Sequence, residues 1–371
     1  MSAYTHSLGT NLQPIYLDCH ATTPVDARVF EVMQPFFMEQ FGNPASVNHS
    51  YGWKAAEAVE IARKQIGKLI KTDSRNIIFT SGATEANNLA IKGLLESAGV
   101  GSHLIISAVE HRSILDPAKR LKRAGYDVTI LPVDEFGQID LQQLENTIRK
   151  ETALVSIIWA NNEIGTTNNV KEILSICKER QVPFHSDAVQ ALGKISIDLQ
   201  KVPLQLMSLS AHKLYGPQGV GALVVQKVVQ ENDIAFAIKP QLEGGGHQRG
   251  YRSGTLPVAL IAGFGKACEL AKELMIDEAT RIKKMRDNLW QGLQNQLDGL
   301  VLNGHPEDRL PGNLNISIEG VDGEALMTSL KRIAVSSGSA CGSANAEPSY
   351  VLKAIGRNHQ QTRASLRFGI G

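Results

Sequence analysis

The chain has 371 residues, of which 43% are hydrophobic, and its formal net charge is +1. These values are ordinary for a soluble globular protein, and so small a charge excludes strong attraction to nucleic acid or to an acidic membrane surface. The length predicts one large and one small domain, and partners that are small molecules or other proteins.

The ends and the cysteines of the chain add two expectations. Residues 1–11 hold neither a basic stretch nor an apolar run, and no later segment is apolar for the length of a membrane span, so we expect a cytoplasmic protein. Cysteines stand at four positions without a CxxC pair or a Cys/His zinc spacing: Cys19, Cys177, Cys268 and Cys341. We therefore expect neither a disulfide framework nor a metal site.

Short runs rich in β-branched residues alternate with helical patterns as far as about Val225, which predicts βα units and a largely parallel sheet. The clearest strands are expected at 77–80, 104–107, 128–131, 154–159, 206–209 and 221–225. The helices between them are expected at 55–70, 114–124, 141–150 and 170–181.

The pattern changes at about Val258, where a long helix is predicted after the glycine-rich segment 243–255. We expect a large domain at 15–257 and a small domain at 258–371. Residues 1–14 are expected to pack on the small domain, which would carry a loop at about 334–347.

The segment 80–89 follows a predicted strand and opens a predicted helix. Its turn is built of small residues, including Ala83 and Thr84, and would present free backbone N–H groups to an anion such as a cofactor phosphate. The alternative is an ordinary helix N-cap, because Ser and Thr begin most helices.

Two further strand ends carry a carboxylate and an amine. Asp187 ends the run 182–187, and Lys213 follows the strand at 206–209 among small and apolar residues. Open α/β sheets bind ligands at this edge, and pyridoxal phosphate needs this pair: the amine makes a Schiff base and the carboxylate holds a proton on the ring nitrogen. A capping or salt-bridged aspartate and a solvated lysine are the alternatives. The spacing of Gly216, Gly219 and Gly221 does not match the dinucleotide fingerprint.

His111 and the turn 161–165 follow other strands of the same sheet. An imidazole at such an edge can stack on a flat ring or move a proton near neutral pH, although a lone histidine is more often a surface residue. The amides of the turn could bond a ring hydroxyl or a substrate carboxylate.

Cys341 lies within 336–346, where no large side chain could anchor the backbone. We expect an accessible loop with an exposed thiol, which favours a nucleophile. Cys177 and Cys268 occupy apolar positions of helices and are expected in the core, and Cys19 beside His20 is interpreted as structural.

Ordered motifs along the whole chain resemble the class V aminotransferases, and specifically cysteine desulfurases of the extended-catalytic-loop branch that supply iron–sulfur cluster assembly. They are IYLD at 15–18, ATTP at 21–24, FGNP at 41–44, SGATE at 81–85, EH at 110–111, NNEIG at 161–165, DAVQ at 187–190, SAHK at 210–213, RSGT at 252–255, SGSAC at 337–341 and SLRF at 365–368. The resemblance implies an α/β fold of the pyridoxal-phosphate-dependent transferase type, with a mostly parallel seven-stranded sheet and a smaller α+β domain.

The resemblance also implies a role for each matching residue. Lys213 would be the Schiff-base lysine, Asp187 the partner of the pyridinium, and His111 the residue that stacks on the ring and acts in proton transfer. Ring-hydroxyl contacts would come from Gln190 and Asn162. Phosphate contacts would come from Ala83, Thr84, Ser210 and His212, with Thr255 reaching it from the second subunit of a homodimer. Substrate would be held by Arg367 and Asn162, and Cys341 would be the nucleophile.

The implied reaction converts L-cysteine to L-alanine and leaves a persulfide on Cys341, which passes to a sulfur acceptor or an iron–sulfur scaffold protein. One alternative is a selenocysteine lyase or a cystine/cysteine carbon–sulfur lyase on the same scaffold, which would not need the thiol. Another is a carrier or assembly scaffold without an active site, which would not bind pyridoxal 5'-phosphate.

Overall fold

The computed structural model describes residues 13–226, 234–337 and 348–371. Its strands are β1 (Ile15–Tyr16), β2 (Ile77–Thr80), β3 (His103–Ser107), β4 (Asp127–Leu131), β5 (Thr152–Ser156), β6 (Phe184–Asp187), β7 (Leu206–Ser210), β8 (Gly221–Val225), β9 (Leu300–Asn303), β10 (Asn313–Ile318), β11 (Ile333–Ala334), β12 (Ser336–Ser337) and β13 (Ser365–Gly369). Its α-helices are α1 (Ala27–Met33), α2 (Pro35–Met38), α3 (Ser50–Ile70), α4 (Ala83–Ala98), α5 (Arg112–Arg123), α6 (Leu141–Thr147), α7 (Val170–Glu179), α8 (Val258–Gln294), α9 (Gly323–Ser329), α10 (Tyr350–Ala354) and α11 (His359–Arg363).

The main sheet has seven strands in the order β2-β8-β7-β6-β5-β3-β4. Strands β3 to β7 run parallel to one another, whereas β8 is antiparallel to both β2 and β7. Every residue of β6 and β7 is buried, as expected for central strands covered by helices on both faces. The expected seven-stranded, mostly parallel sheet is confirmed, and it brings the carboxyl ends of β3, β5, β6 and β7 to one edge.

Helices cover both faces of this sheet. On one face α3 packs against the first half of α8, and Gly265 allows the close approach, because a Cβ atom there would lie 2.6 Å from Ala62 Cα. On the other face α4 and α5 cover Ile78, Leu104 and Ile106. The sheet is thereby shielded from water except at its edges.

A second, four-stranded sheet has the order β12-β13-β10-β9, and a short parallel pair joins β1 to β11. Leu314, Ile316, Leu366 and Phe368 form its core, against which the second half of α8 packs. This arrangement brings β13, which contains Arg367, beside the segment that follows β1.

Several expected boundaries are wrong, and α3 begins at Ser50 rather than at residue 55. The ladder of β5 ends at Ser156 rather than at 159, although the N–H groups of Ile157 and Trp159 still donate to carbonyls of β6, and α6 ends at Thr147 because Ile148 takes an extended conformation. Within the described residues, none of the helices combines the length and apolarity needed to cross a membrane.

Candidate active site

The edge where the parallel strands end holds a pocket that gathers many of the polar residues singled out from the sequence. Asp187 is the last residue of β6, and Lys213 ends a short 3₁₀ turn, Ala211–Lys213, that follows β7. The lining consists of Ala83, His111, Ile158, Asn162, Asp187, Val189, Gln190 and Lys213. Carboxylate, amine, imidazole and amide groups from separate strand ends therefore face one space.

The Asp187 carboxylate is buried and held by hydrogen-bond donors. Asn87 Nδ2 donates to Oδ2 at 2.8 Å, and the Val189 N–H donates to Oδ1 at 3.1 Å. Among the described residues, Asp187 forms no ion pair with a cation. The carboxylate nevertheless lies close enough to Lys213 to raise the pKa of that amine. A buried carboxylate of this kind calls for a positive group inside the pocket.

His111 is exposed and lines the pocket, so its ring is accessible to a ligand. Its Nδ1 lies 2.7 Å from Ser113 Oγ and accepts from the Ser113 N–H at 3.2 Å. Ser113 Oγ in turn accepts from Asn87 Nδ2 at 2.8 Å, so a chain of hydrogen bonds connects His111 with Asp187. Since Nδ1 acts as an acceptor, the proton of the neutral ring sits on Nε2.

Lys213 is half-buried, and its amine donates to the backbone carbonyl oxygens of His20, at 2.7 Å, and Ala21. Burial, with repulsion from Arg367 as the next cause, lowers the pKa of Lys213 to about 8. A substantial share of these amines is therefore neutral near physiological pH and able to attack a carbonyl group.

The N-terminus of α4 offers an anion site beside the pocket. Its N-cap is Gly82, which makes no side-chain cap, and a Cβ atom added there would meet nothing within 4 Å. The backbone of Gly221 packs closely against this turn, because a Cβ atom at Gly221 would lie 2.7 Å from the carbonyl carbon of Gly82. Ser210 pairs with Gly221 and so lies next to this turn. Unused N–H groups at a helix start suit a phosphate.

Arg367 of β13 is buried and contacts Asn162, a residue of the pocket lining. Its Nη2 donates to Asp18 Oδ1 at 2.7 Å and to Ser336 Oγ at 3.1 Å, and its Nη1 donates to the Asn162 carbonyl at 3.0 Å. Arg367 Nε and Asn162 Oδ1 are among the buried side-chain atoms of the described residues that have no hydrogen-bond partner. The unused donor and acceptor match the carboxylate and the ammonium of an amino acid.

The remaining residues implied by the resemblance do not belong to the pocket lining. Thr84 and Thr255 are exposed, and His212 bonds through Nδ1 to Thr22 Oγ1 at 3.1 Å, while burial lowers the pKa of this imidazole to about 4. Cys341 lies outside the described residues.

Sequence reasoning missed four residues that complete the site. Asn87 is hydrogen-bonded to Asp187, and Asp18 is hydrogen-bonded to Arg367. Lys194 Nζ donates to Gln190 Oε1 at 2.7 Å, and Glu110, next to His111 in the sequence, is fully buried. Burial raises the pKa of Glu110 to about 8. Lys194 carried a usable signal, because it stands four residues after Gln190 and such a spacing places two side chains on one face of a helical turn.

Comparisons with known proteins agree with this geometry. The model of the family "Aminotransferase class-V" matches residues 15–370. The chain belongs to that family and, within it, to the cysteine desulfurases.

Two relatives and one solved structure illustrate the likeness. Cysteine desulfurase IscS of Colwellia psychrerythraea is 50% identical over 96% of this chain and 88% of its own length, and the mitochondrial cysteine desulfurase of Arabidopsis thaliana is 49% identical over 97% and 78%. A solved NifS-like protein superposes with a TM-score of 0.88, 35% identity, and coverage of 96% of this chain and 93% of its own.

The cofactor of this family is pyridoxal 5'-phosphate, and the pocket fits it. The Asp187 carboxylate, which has no ion-pair partner among the described residues, suits the protonated ring nitrogen, the N-terminus of α4 suits the phosphate, and the amine of Lys213 lines the same pocket and suits the aldehyde.

Proposed function

We propose that the protein converts L-cysteine to L-alanine and carries the released sulfur as a persulfide on Cys341. The observation that carries this proposal is that one pocket holds the Lys213 amine, the buried Asp187 carboxylate and the exposed His111 ring. The desulfurase relatives, which match nearly the whole chain, support the same reaction.

Each pocket residue has a defined task in this proposal. Lys213 would hold the cofactor through its aldehyde carbon, Asp187 would keep a proton on the ring nitrogen, and His111 would stack on the ring and carry a proton on Nε2. Ala83, Thr84, Ser210 and His212 hold the phosphate, and Gln190 and Asn162 donate to the ring hydroxyl. When bound, the cofactor supplies an electron sink that weakens the bonds around the amino-acid Cα.

Arg367 is proposed to bind the substrate carboxylate. The guanidinium is kept in place by Asp18 and the Asn162 carbonyl, and its Nε–H remains available. A planar fork held on one side binds a carboxylate in a fixed orientation on the other, which presents Cα to the reacting groups.

Cys341 is proposed to attack the substrate sulfur as a thiolate. The new sulfur–sulfur bond forms as the carbon–sulfur bond breaks, and its electron pair stays with the carbon that becomes the methyl group of alanine after protonation. The persulfide then passes to a sulfur acceptor or an iron–sulfur scaffold protein. A thiol with this task needs a reducing compartment, so a cytoplasmic location belongs to the proposal.

We also propose a homodimer. Several large apolar side chains near α1, α2 and α3 are exposed, among them Met38 at 83%, Val47 at 75% and Phe41 at 66%. An exposed apolar patch of this kind is typical of an interaction surface. Thr255 is exposed on its own chain, which leaves it free to reach the phosphate of a second subunit.

The division into a large domain, 15–257, and a small domain, 258–371, stays part of the proposal; of the segment 1–14 expected to pack on the small domain, residues 1–12 lie outside the described residues. Helix α8 joins the two, since its first half packs on α3 and its second half on the four-stranded sheet.

The test uses the purified protein loaded with pyridoxal 5'-phosphate. Incubation with L-cysteine should give alanine and sulfide in the presence of a thiol reductant, and Cys341→Ala should lose both while it keeps the visible absorption band. Unchanged sulfur release by Cys341→Ala would favour a lyase, including a selenocysteine lyase, on the same scaffold.

For the dimer, Phe41→Arg together with Met38→Arg should shift the sedimentation coefficient to that of a monomer. Val100→Arg, in an exposed turn elsewhere, is the matched control. A dimer that survives the paired change would exclude this surface.

A further inference from the structure

A second lysine lies directly behind the pocket. The segment after β6 forms a helical turn in which the N–H groups of Leu192 and Ile195 donate to the carbonyls of Ala188 and Ala191. This turn places Lys194 and Gln190 on one face, and the Lys194 amine donates to Gln190 Oε1 at 2.7 Å. A cation that can only donate thus fixes which end of the Gln190 carboxamide is the acceptor.

The other end of that carboxamide reaches the same atom that holds Lys213. Gln190 Nε2 donates to the His20 carbonyl at 2.9 Å, and the Lys213 amine donates to this carbonyl at 2.7 Å. Gln190 is buried and lines the pocket, so its second N–H is available to a ligand there. A continuous network of hydrogen bonds therefore connects Lys194 with Lys213 through Gln190 and the His20 carbonyl.

Within the described part of the chain, Lys194 makes no ion pair with a carboxylate. Both lysine side chains also line a larger cavity of about 440 Å³, with apolar walls from α8. The titratable and charged groups that face Lys194 or share this cavity are Cys19, His20, Asp26, Arg28, His212, Lys213, Tyr215, Glu278, Arg281 and Arg367. Burial, followed by repulsion from Lys213, lowers the pKa of Lys194 to about 7.

We propose that Lys194 is a positioning residue that carries a positive charge when the cofactor is bound, holding Gln190 as a donor and balancing the negative ring oxygen. This inference rests on the proposed function only for the presence of the cofactor. Lys194 is half-buried, and an ammonium that has no carboxylate partner among the described residues is favoured in its charged form by a nearby anion; the Gln190 carboxamide between the two groups transmits the polarisation.

The first readout is the pH titration of the visible absorption band of the holoenzyme, which needs no cysteine. Lys194→Met and Lys194→Gln remove the positive charge of this side chain. Because a nearby cation favours the deprotonated form of the absorbing group, the pH midpoint of the band should rise by about one unit in both variants. Lys194→Arg keeps the charge and should keep the midpoint. Lys171→Met, an exposed lysine of α7, is the matched control and should also leave it unchanged.

The second readout uses the full chain without cofactor. Reductive methylation followed by peptide mass analysis gives the pH midpoint of labelling for each lysine. Lys213→Ala removes the repulsion that acts on Lys194, so the Lys194 midpoint should rise by about half a unit to one unit while that of Lys171 stays constant.

Two results would overturn the inference. One is a visible-band midpoint that stays at the wild-type pH in both neutral variants, or that moves as far in Lys194→Arg as in Lys194→Met. The other is a Lys194 labelling midpoint equal to that of Lys171 and indifferent to Lys213→Ala. A protein that titrates as expected but forms no persulfide would refute the proposed desulfurase reaction and leave the role of Lys194 standing.

Discussion

The two sheets contribute different kinds of polar group to the candidate site. At the edge of the seven-stranded sheet, His111, Asp187 and Gln190 already have protein partners that fix their orientation. At the four-stranded sheet, Arg367 is held on one side by Asp18, while its Nε has no partner. The edge of the seven-stranded sheet, the first edge, is preorganised for a group that remains bound, as a cofactor does. Arg367 on the four-stranded sheet, the second edge, keeps a hydrogen-bond donor for a substrate that binds and leaves.

The largest effect is expected when the Lys213 amine is removed from the first edge. Lys213→Ala should lower the turnover of L-cysteine by at least about 10³-fold and abolish the visible absorption band, because among the described residues Lys213 supplies the amine bonded to the His20 and Ala21 carbonyls. Absorption spectra and alanine assays measure both effects. Retained turnover would show that the pocket is not the reaction site.

Asp187→Asn keeps the shape of the first edge and removes its charge. Turnover should fall by about 10²-fold while cofactor still binds, because a neutral amide cannot hold a proton on the ring nitrogen. Steady-state kinetics would measure the loss. Asp116→Asn, an exposed carboxylate on α5, should have no effect, and an equal loss in both variants would refute the assignment.

The second edge should respond differently. Arg367→Lys removes the planar fork but keeps the charge, so the KM for L-cysteine should rise by about tenfold while the absorption of the bound cofactor is unchanged. Kinetics at several substrate concentrations separate KM from kcat. A pure loss of kcat would place Arg367 outside substrate binding.

The smallest effect concerns stability. Burial raises the pKa of Glu110 to about 8, above that of an exposed glutamate, so the folded state holds a proton that the unfolded state releases. The contribution of Glu110 is therefore complete below the unfolded pKa and is lost as the pH rises toward about 8, on the order of a few kcal/mol.

Glu110→Gln should flatten this dependence in thermal unfolding measured from pH 5 to pH 8. The exposed Glu179→Gln is the control. A melting temperature of Glu110→Gln that follows the wild-type pH dependence would contradict the assignment of a protonated carboxyl beside His111.

The strand ends could be predicted from the sequence because a parallel sheet aligns its carboxyl edges, so Asp187, Lys213 and His111 follow from the βα pattern. Asn87 could not be predicted, since its contact with Asp187 joins residues 100 positions apart. The pairing of Asp18 with Arg367 spans 349 positions and depends on how β13 lies beside the segment after β1. Contacts between distant segments depend on packing, which the local pattern does not encode.

The reaction itself is tested most directly by the mass of the peptide that contains Cys341, measured after the holoenzyme has been incubated with L-cysteine. The account predicts one added sulfur atom on Cys341, absent in Lys213→Ala and removed by a thiol reductant. Alanine and sulfide produced without any sulfur on Cys341 would contradict it.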